Sequence, residues 1–75
     1  MDDPTYSREE LERNLYRVVK DAETRDLVVS GLMVAQSNAG GTLSQDTAYS
    51  ALQGLVHSGM LDTYTPKYVL AALYE

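Results

Sequence analysis

Apolar residues recur along this chain at helical spacing. Leu11, Leu15, Val18 and Val19 stand at i, i+4, i+7 and i+8, the stripe of an amphipathic helix. Ser7 opens that helix. Ser7 and Glu10 have capping-box spacing, in which each side chain satisfies the other residue's orphan backbone N–H. Glu9 precedes Arg13 by four residues, a pair worth ~0.3–0.5 kcal/mol, and Arg17 and Lys20 near the helix end suit its dipole. Residues 1–6 are expected to be a frayed lead. A second helix, capped by Asp21 or Thr24, is predicted to run to about Asn38. Leu27, Val28, Val29, Leu32, Met33, Val34 and Ala35 make it apolar almost all the way round. Such a helix belongs in the middle of a fold or between subunits, so it is expected to be the most buried element. Gly40-Gly41 stops it with left-handed C-cap geometry.

A third helix, capped by Thr42 or Ser44, is predicted from about Gln45 to Ser58, with Gly59 ending it. Its wheel divides into three strips. Ala48, Leu52, Leu55 and Val56 form a core strip; Thr47, Ala51, Gly54 and Ser58 form a strip of small residues that would let another helix come close; Asp46, Ser50, Gln53 and His57 form a solvent strip. The last segment, Met60–Glu75, admits two patterns. In the favoured one, Thr65 and Pro66 are N-cap and N1 of a fourth helix through Tyr68, Val69, Ala72 and Leu73. In the other, Met60–Tyr64 and Tyr68–Leu73 are the strands of a β-hairpin. The expected fold is therefore all-α, a compact bundle of three to four short helices. The alternative is a winged helix with a C-terminal β-hairpin.

That alternative carries a resemblance. Leu55-Val56-His57-Ser58-Gly59-Met60-Leu61, followed by Lys67-Tyr68-Val69-Leu70, resembles the end of winged helix-turn-helix domains over about thirty residues. The resemblance implies a DNA-binding transcriptional regulator. Two features depart from it: the preceding helix is long and followed by Gly-Gly, and the presumptive recognition helix has no basic residue.

Charge placement bears on this directly. From Leu27 through Pro66 there is no Lys or Arg, and the only charges are Asp46 and Asp62. Lys and Arg neutralising phosphates supply most nonspecific DNA affinity, and the chain carries a net charge of −5, so nucleic acid is a disfavoured partner. Ser44, Gln45, Ser50 and Gln53 could read base edges but could not bring the helix to the groove. A surface built from Ser, Thr, Gln, Asn and Tyr is better suited to contact with another protein.

Length sharpens that reading. Seventy-five residues make a single small domain, 1–75. A chain this short buries only ~60% of its unfolded surface and commonly needs disulfides, a metal or a partner. It has no Cys and one His, which excludes disulfides and thiolate metal sites and removes most other metal constellations. Self-association, as a homodimer, is the expected remedy. Met1-Asp2-Asp3-Pro4 lacks the basic and apolar regions of a signal peptide. The apolar run Leu27–Ala35, broken by Ser30 and Gly31, falls well short of the ~20 residues that span a bilayer. A cytoplasmic protein with no membrane contact is expected.

Catalysis finds no support. Asp46, Ser50 and His57 share a face, but Ser50 and His57 are two helical turns apart, roughly 10 Å, where a nucleophile and its base need ~2.6–3.2 Å. Gly40-Gly41 ahead of a helix could cradle an anion, yet no strand precedes it and Asp46 in the first turn repels one. No enzyme activity, cofactor or metal is expected. Glu9, Glu12, Glu23 and Asp26 are candidates for an acidic docking patch, with Arg8, Arg13 and Arg17 interspersed. All six aromatics are Tyr, which suits boundaries apolar on one side and wet on the other. The candidate protein interface is Tyr49, Ala51, Gly54, Ser58, Tyr64 and Tyr68. The expected function is a small non-enzymatic regulator, adaptor or inhibitor that acts by binding protein.

Overall fold

The computed structural model describes residues 3–75. It contains four helices: α1 Arg8–Leu15, α2 Ala22–Asn38, α3 Gln45–His57 and α4 Thr65–Tyr74. The fold is an all-α compact bundle, and the described residues contain no strand. The hairpin alternative for residues 60–75 is thereby corrected. Thr65 N–H donates to Asp62 O at 3.3 Å, so a turn at Asp62–Thr65 feeds directly into α4. The helix therefore starts one residue earlier than expected: Tyr64 occupies the N-cap without a side-chain bond, Thr65 is the first helical residue, and Pro66 lies in the first turn.

Local chemistry places the other ends. Ser7 and Glu10 make the reciprocal capping box. Asp21, rather than Thr24, caps α2, accepting from Thr24 N–H at 2.9 Å and Thr24 Oγ1 at 2.7 Å. These bonds favour the charged carboxylate and hold Asp21 below the usual carboxylate range. Ser44, rather than Thr42, caps α3 through Thr47 N–H. Both α2 and α3 end in Schellman motifs. Gly40 (φ 92°) and Gly59 (φ 78°) supply the left-handed residue, while Gly41 N–H reaches Gln36 O at 2.8 Å and Met60 N–H reaches Leu55 O at 3.0 Å. In α1 the helix gives way to a turn after Leu15, whose carbonyl accepts from both Val18 and Val19 N–H. Val19 still reaches the core.

Contacts join α1 to α2, α2 to α3, α3 to α4 and α4 back to α1, with none across either diagonal. The helices thus form a closed ring. Arg8 meets Asp26 and Ser30, while Tyr16 meets Arg25. Leu11, Leu15, Val28, Val29, Leu32, Leu43, Ala48, Leu52 and Val69 fill the centre with no exposure. Burial of such side chains, ~1.5–3 kcal/mol each, is the dominant favourable contribution to folding. α2 supplies Val28, Val29, Leu32 and Gln36 to the interior, but it is not covered all round: Val34 is 60% exposed.

The lead, expected to fray, is tied down at residues 4–6. Leu43 N–H donates to Pro4 O at 2.7 Å, and Thr5 Oγ1 donates to Gly41 O at 2.8 Å. Gln36, only 6% exposed, clamps Tyr6 from both sides: its Oε1 accepts from Tyr6 N–H at 2.8 Å and its Nε2 donates to Tyr6 O at 2.7 Å. The Tyr6 hydroxyl donates to Leu73 O at 2.8 Å and the Tyr74 hydroxyl to Leu43 O at 2.6 Å. Their rings meet edge to face, centroids 6.2 Å apart. Burial pushes the Tyr6 phenol up and pushes Tyr74 to about 12. This polar network binds the first described residues, the α2–α3 connection and the end of α4 together. Met1 and Asp2 lie outside the described residues.

Candidate functional site: two surfaces around the cation-free segment

Helical geometry divides the expected interface set. At about 100° per residue, Ala51 and Ser58 lie about 40° and 60° to one side of Leu55. Tyr49 lies about 120° to the other. Tyr49 and the small strip thus occupy opposite flanks of α3. Tyr64 and Tyr68 stand beyond the far end of α3, at the start of α4. The structure does not join these six residues into one patch. It presents an α2–α3 face and separate tyrosine positions.

The α2–α3 face is located by one contact. A Cβ built on Gly31 would stand 3.4 Å from Leu55 Cδ1, so the two helices meet there. The close approach uses a glycine of α2, whereas a Cβ on Gly54 would meet nothing within 4 Å. Gly54 therefore leaves open space at its position, while Ala51 of the same strip packs against the core. On the inner side of the Gly31–Leu55 seam lie buried Val28 and Leu32 of α2 and buried Ala48 and Leu52 of α3. The outer side must then carry the residues on the opposite flanks: Leu27 and Val34 of α2, with Ala51, Gly54 and Ser58 of α3. Leu27 and Ala51 are half-buried; Val34, Gly54 and Ser58 are exposed. Ser58 Oγ folds back to donate to Gly54 O at 2.9 Å, which removes its own demand for a partner. Exposed Glu23, four residues before Leu27, shares this flank of α2, and Arg8 of α1 donates to Ser30 Oγ at 3.2 Å on the same side.

The tyrosine positions are wetter. Tyr64 and Tyr68 are 61% and 55% exposed and pack edge to face with centroids 6.4 Å apart. The Asp62 carboxylate beside the Tyr64 hydroxyl, as hydrogen-bond acceptor and as negative charge, raises that phenol. Met60 and Tyr49 are also more exposed than buried or evenly divided. Tyr16 was singled out by no pattern in the sequence. Its ring carries the Arg25 guanidinium 4.9 Å from the centroid.

Of the candidate acidic patch, Glu9, Glu12 and Asp26 line one open groove between α1 and α2, together with Arg13, Tyr16 and Arg25. Glu23 does not line it. Glu9 pairs with Arg13 at 3.5 Å and Asp26 with Arg8 at 3.4 Å, all well exposed, so each pair contributes at most ~1 kcal/mol. Arg25 is occupied by Tyr16 and by the Val19 carbonyl, to which it donates at 2.9 Å. The groove mixes both signs of charge rather than presenting one. Asp46, Ser50 and His57 project into solvent from α3, and among the described residues no cluster of three His, Cys, Asp or Glu could hold a metal ion. Among the described residues no helix is long and apolar enough to cross a membrane. No protein family, curated protein or solved structure matches the chain.

Proposed function

We propose that this protein is a non-enzymatic regulator, adaptor or inhibitor that acts by binding protein, and that it self-associates as a homodimer in the cytoplasm. One observation carries the reading. The segment Leu27–Pro66, free of Lys and Arg, comes to the surface bearing Val34, Tyr49, Met60 and Tyr64 at half exposure or more. Surface this poor in charge and studded with large apolar side chains is readily desolvated against another polypeptide, and Tyr and Met are enriched where proteins meet. The same surface cannot neutralise phosphates. The exposed Tyr64–Tyr68 pair suits a partner of different sequence, because tyrosine anchors contribute much of the energy in such interfaces.

The test is affinity capture from the native host with the parent chain and a Tyr64→Ala/Tyr68→Ala variant in parallel, each capture followed by in vitro reconstitution. A polypeptide that binds the purified parent and loses binding with the variant supports the reading. Tight, salt-sensitive association of the purified chain with duplex DNA overturns it.

A further inference from the structure

We propose that residues 4–6 occupy, within their own chain, a slot that takes an extended, tyrosine-bearing segment of a partner protein, and that such a segment displaces them. This rests on the reading that the protein acts by binding protein, and adds a second surface to it. The slot lies where the end of α2, the α2–α3 connection and the end of α4 meet. Its contacts with main chain ask only for an extended backbone. Leu43 N–H donates to Pro4 O at 2.7 Å, and the Gln36 amide takes both Tyr6 N–H and Tyr6 O, at 2.8 and 2.7 Å. A group that accepts from and donates to one residue does what a neighbouring strand does, the means by which extended peptides are commonly held. Side chains are read as well. The Gly41 carbonyl accepts from the Thr5 hydroxyl and the Leu73 carbonyl from the Tyr6 hydroxyl, both at 2.8 Å, and the Tyr74 ring meets the Tyr6 ring edge to face. The occupant so specified is an extended segment in which a hydroxyl residue precedes a tyrosine.

The slot does not depend on its occupant. Leu43 is fully buried, and its carbonyl is already held by the Tyr74 hydroxyl at 2.6 Å. Helices α1 and α4 touch each other directly, so the ring closes without residues 4–6. The occupant, conversely, is held by directional bonds more than by burial. Pro4 and Thr5 are exposed and Tyr6 is half-buried, and none of them belongs to the buried core. Opening such bonds costs little net, because water replaces each partner, and release returns the conformational entropy lost on ordering. These residues therefore detach at a lower free energy than the ring unfolds. A segment that makes the same bonds, carried by a protein that also touches the ring elsewhere, displaces them through its second point of attachment.

The experiment titrates a capped peptide copying Asp3-Pro4-Thr5-Tyr6-Ser7 into the isotope-labelled full chain, parent and Thr5→Ala/Tyr6→Ala, followed by amide chemical shifts. The variant keeps every slot residue and weakens the resident segment. The expected result is saturable binding to the variant, with shifts at the Gln36 side-chain amide and at the Leu43 and Tyr74 backbone amides. The parent should bind about fivefold or more weakly, because its own segment holds the slot. The same peptide with phenylalanine in place of tyrosine should bind the variant about two- to tenfold more weakly, through loss of one hydrogen bond. No saturable binding to the variant overturns the slot, as does equal binding to parent and variant. Hydrogen exchange of the parent decides independently of how the variant folds. The Tyr6 and Leu43 amides should exchange faster than the Leu32 amide of the core, and protection equal to that of Leu32 overturns displacement. Concentration-dependent shifts of the same groups in the parent alone would make a second copy the occupant, against the proposal. A captured protein that loses binding with Tyr64→Ala/Tyr68→Ala yet does not compete with the peptide overturns the slot while leaving protein binding standing.

Discussion

Gln36 is the one buried polar side chain among the described residues, and its replacement tests whether the lead is part of the fold. In Gln36→Leu both bonds to Tyr6, at 2.8 and 2.7 Å, disappear, and the Tyr6 N–H and C=O lose their partners in a half-buried site. At ~1 kcal/mol net per bond the loss is ~2 kcal/mol. For a domain of this size each kcal/mol lowers the melting temperature by about 4–8 °C, so the expected drop is ~8–16 °C. Thermal melts followed by circular dichroism measure it. Hydrogen exchange locates it, with the Tyr6 and Leu43 amides losing protection together, since Leu43 N–H is bonded to Pro4 O in the same lead. Gln36→Glu adds a sign. At neutral pH its carboxylate can accept from Tyr6 N–H but cannot donate to Tyr6 O. Protonation restores a donor, so the folded state favours the protonated carboxyl. The variant should therefore recover stability as pH falls through the carboxylate range and lose it as pH rises. A Gln36→Leu melt within ~2 °C of the parent, with the Tyr6 amide still protected, would refute the clamp.

The two helical glycines should behave oppositely in a dilute melt. Gly54→Ala stabilises by ~1 kcal/mol, because a Cβ there meets nothing, while Gly31→Leu destabilises by ~1–3 kcal/mol through overpacking against Leu55; equal effects would contradict the assigned seam. Alkaline unfolding provides a second check. Tyr74 is raised from 10.0 to about 12 in the folded state, so its contribution is fully present below pH ~10 and is lost as pH climbs toward ~12; Tyr74→Phe should flatten that slope in pH-dependent denaturant titrations. Ser44→Ala should lower stability by ~1 kcal/mol through loss of the α3 cap, measured by urea denaturation. Asp21, held low by Thr24, has the opposite pH dependence to Tyr74: its contribution is present above the unfolded carboxylate pKa and fades as acid protonates it, a fade that should be absent in Asp21→Asn.

Most of the helical framework is legible from the chain because it rests on local chemistry. The Ser7–Glu10 box, the caps at Asp21 and Ser44, and the stops at Gly40 and Gly59 each satisfy backbone groups within one turn of the residue that carries them. The apolar stripes identify Leu11, Leu15, Ala48 and Leu52 as core for the same reason: helical period alone sets which side chains share a face. The cation-free segment and the absence of Cys likewise need no coordinates. The final segment was open between helix and hairpin, since Thr65-Pro66 fits a helix start and a turn alike. In the structure it is a helix, with Val69 buried in the ring.

Tertiary structure decided what depends on residues far apart. Gln36 lies thirty positions from Tyr6, and no local pattern joins them, so the pinned lead could not be read from the sequence. Gly31 rather than Gly54 marks the close approach of two helices, because the rotation of each helix is set by the whole core and not by its own wheel. Those same rotations left Val34 uncovered on the outside of α2, whereas helical period alone puts Tyr49 and the small strip on opposite flanks of α3. The sequence alone determined which segment is free of Lys and Arg; only the mutual orientation of α2 and α3, imposed by burying both apolar faces at once, decided the shape its surface presents.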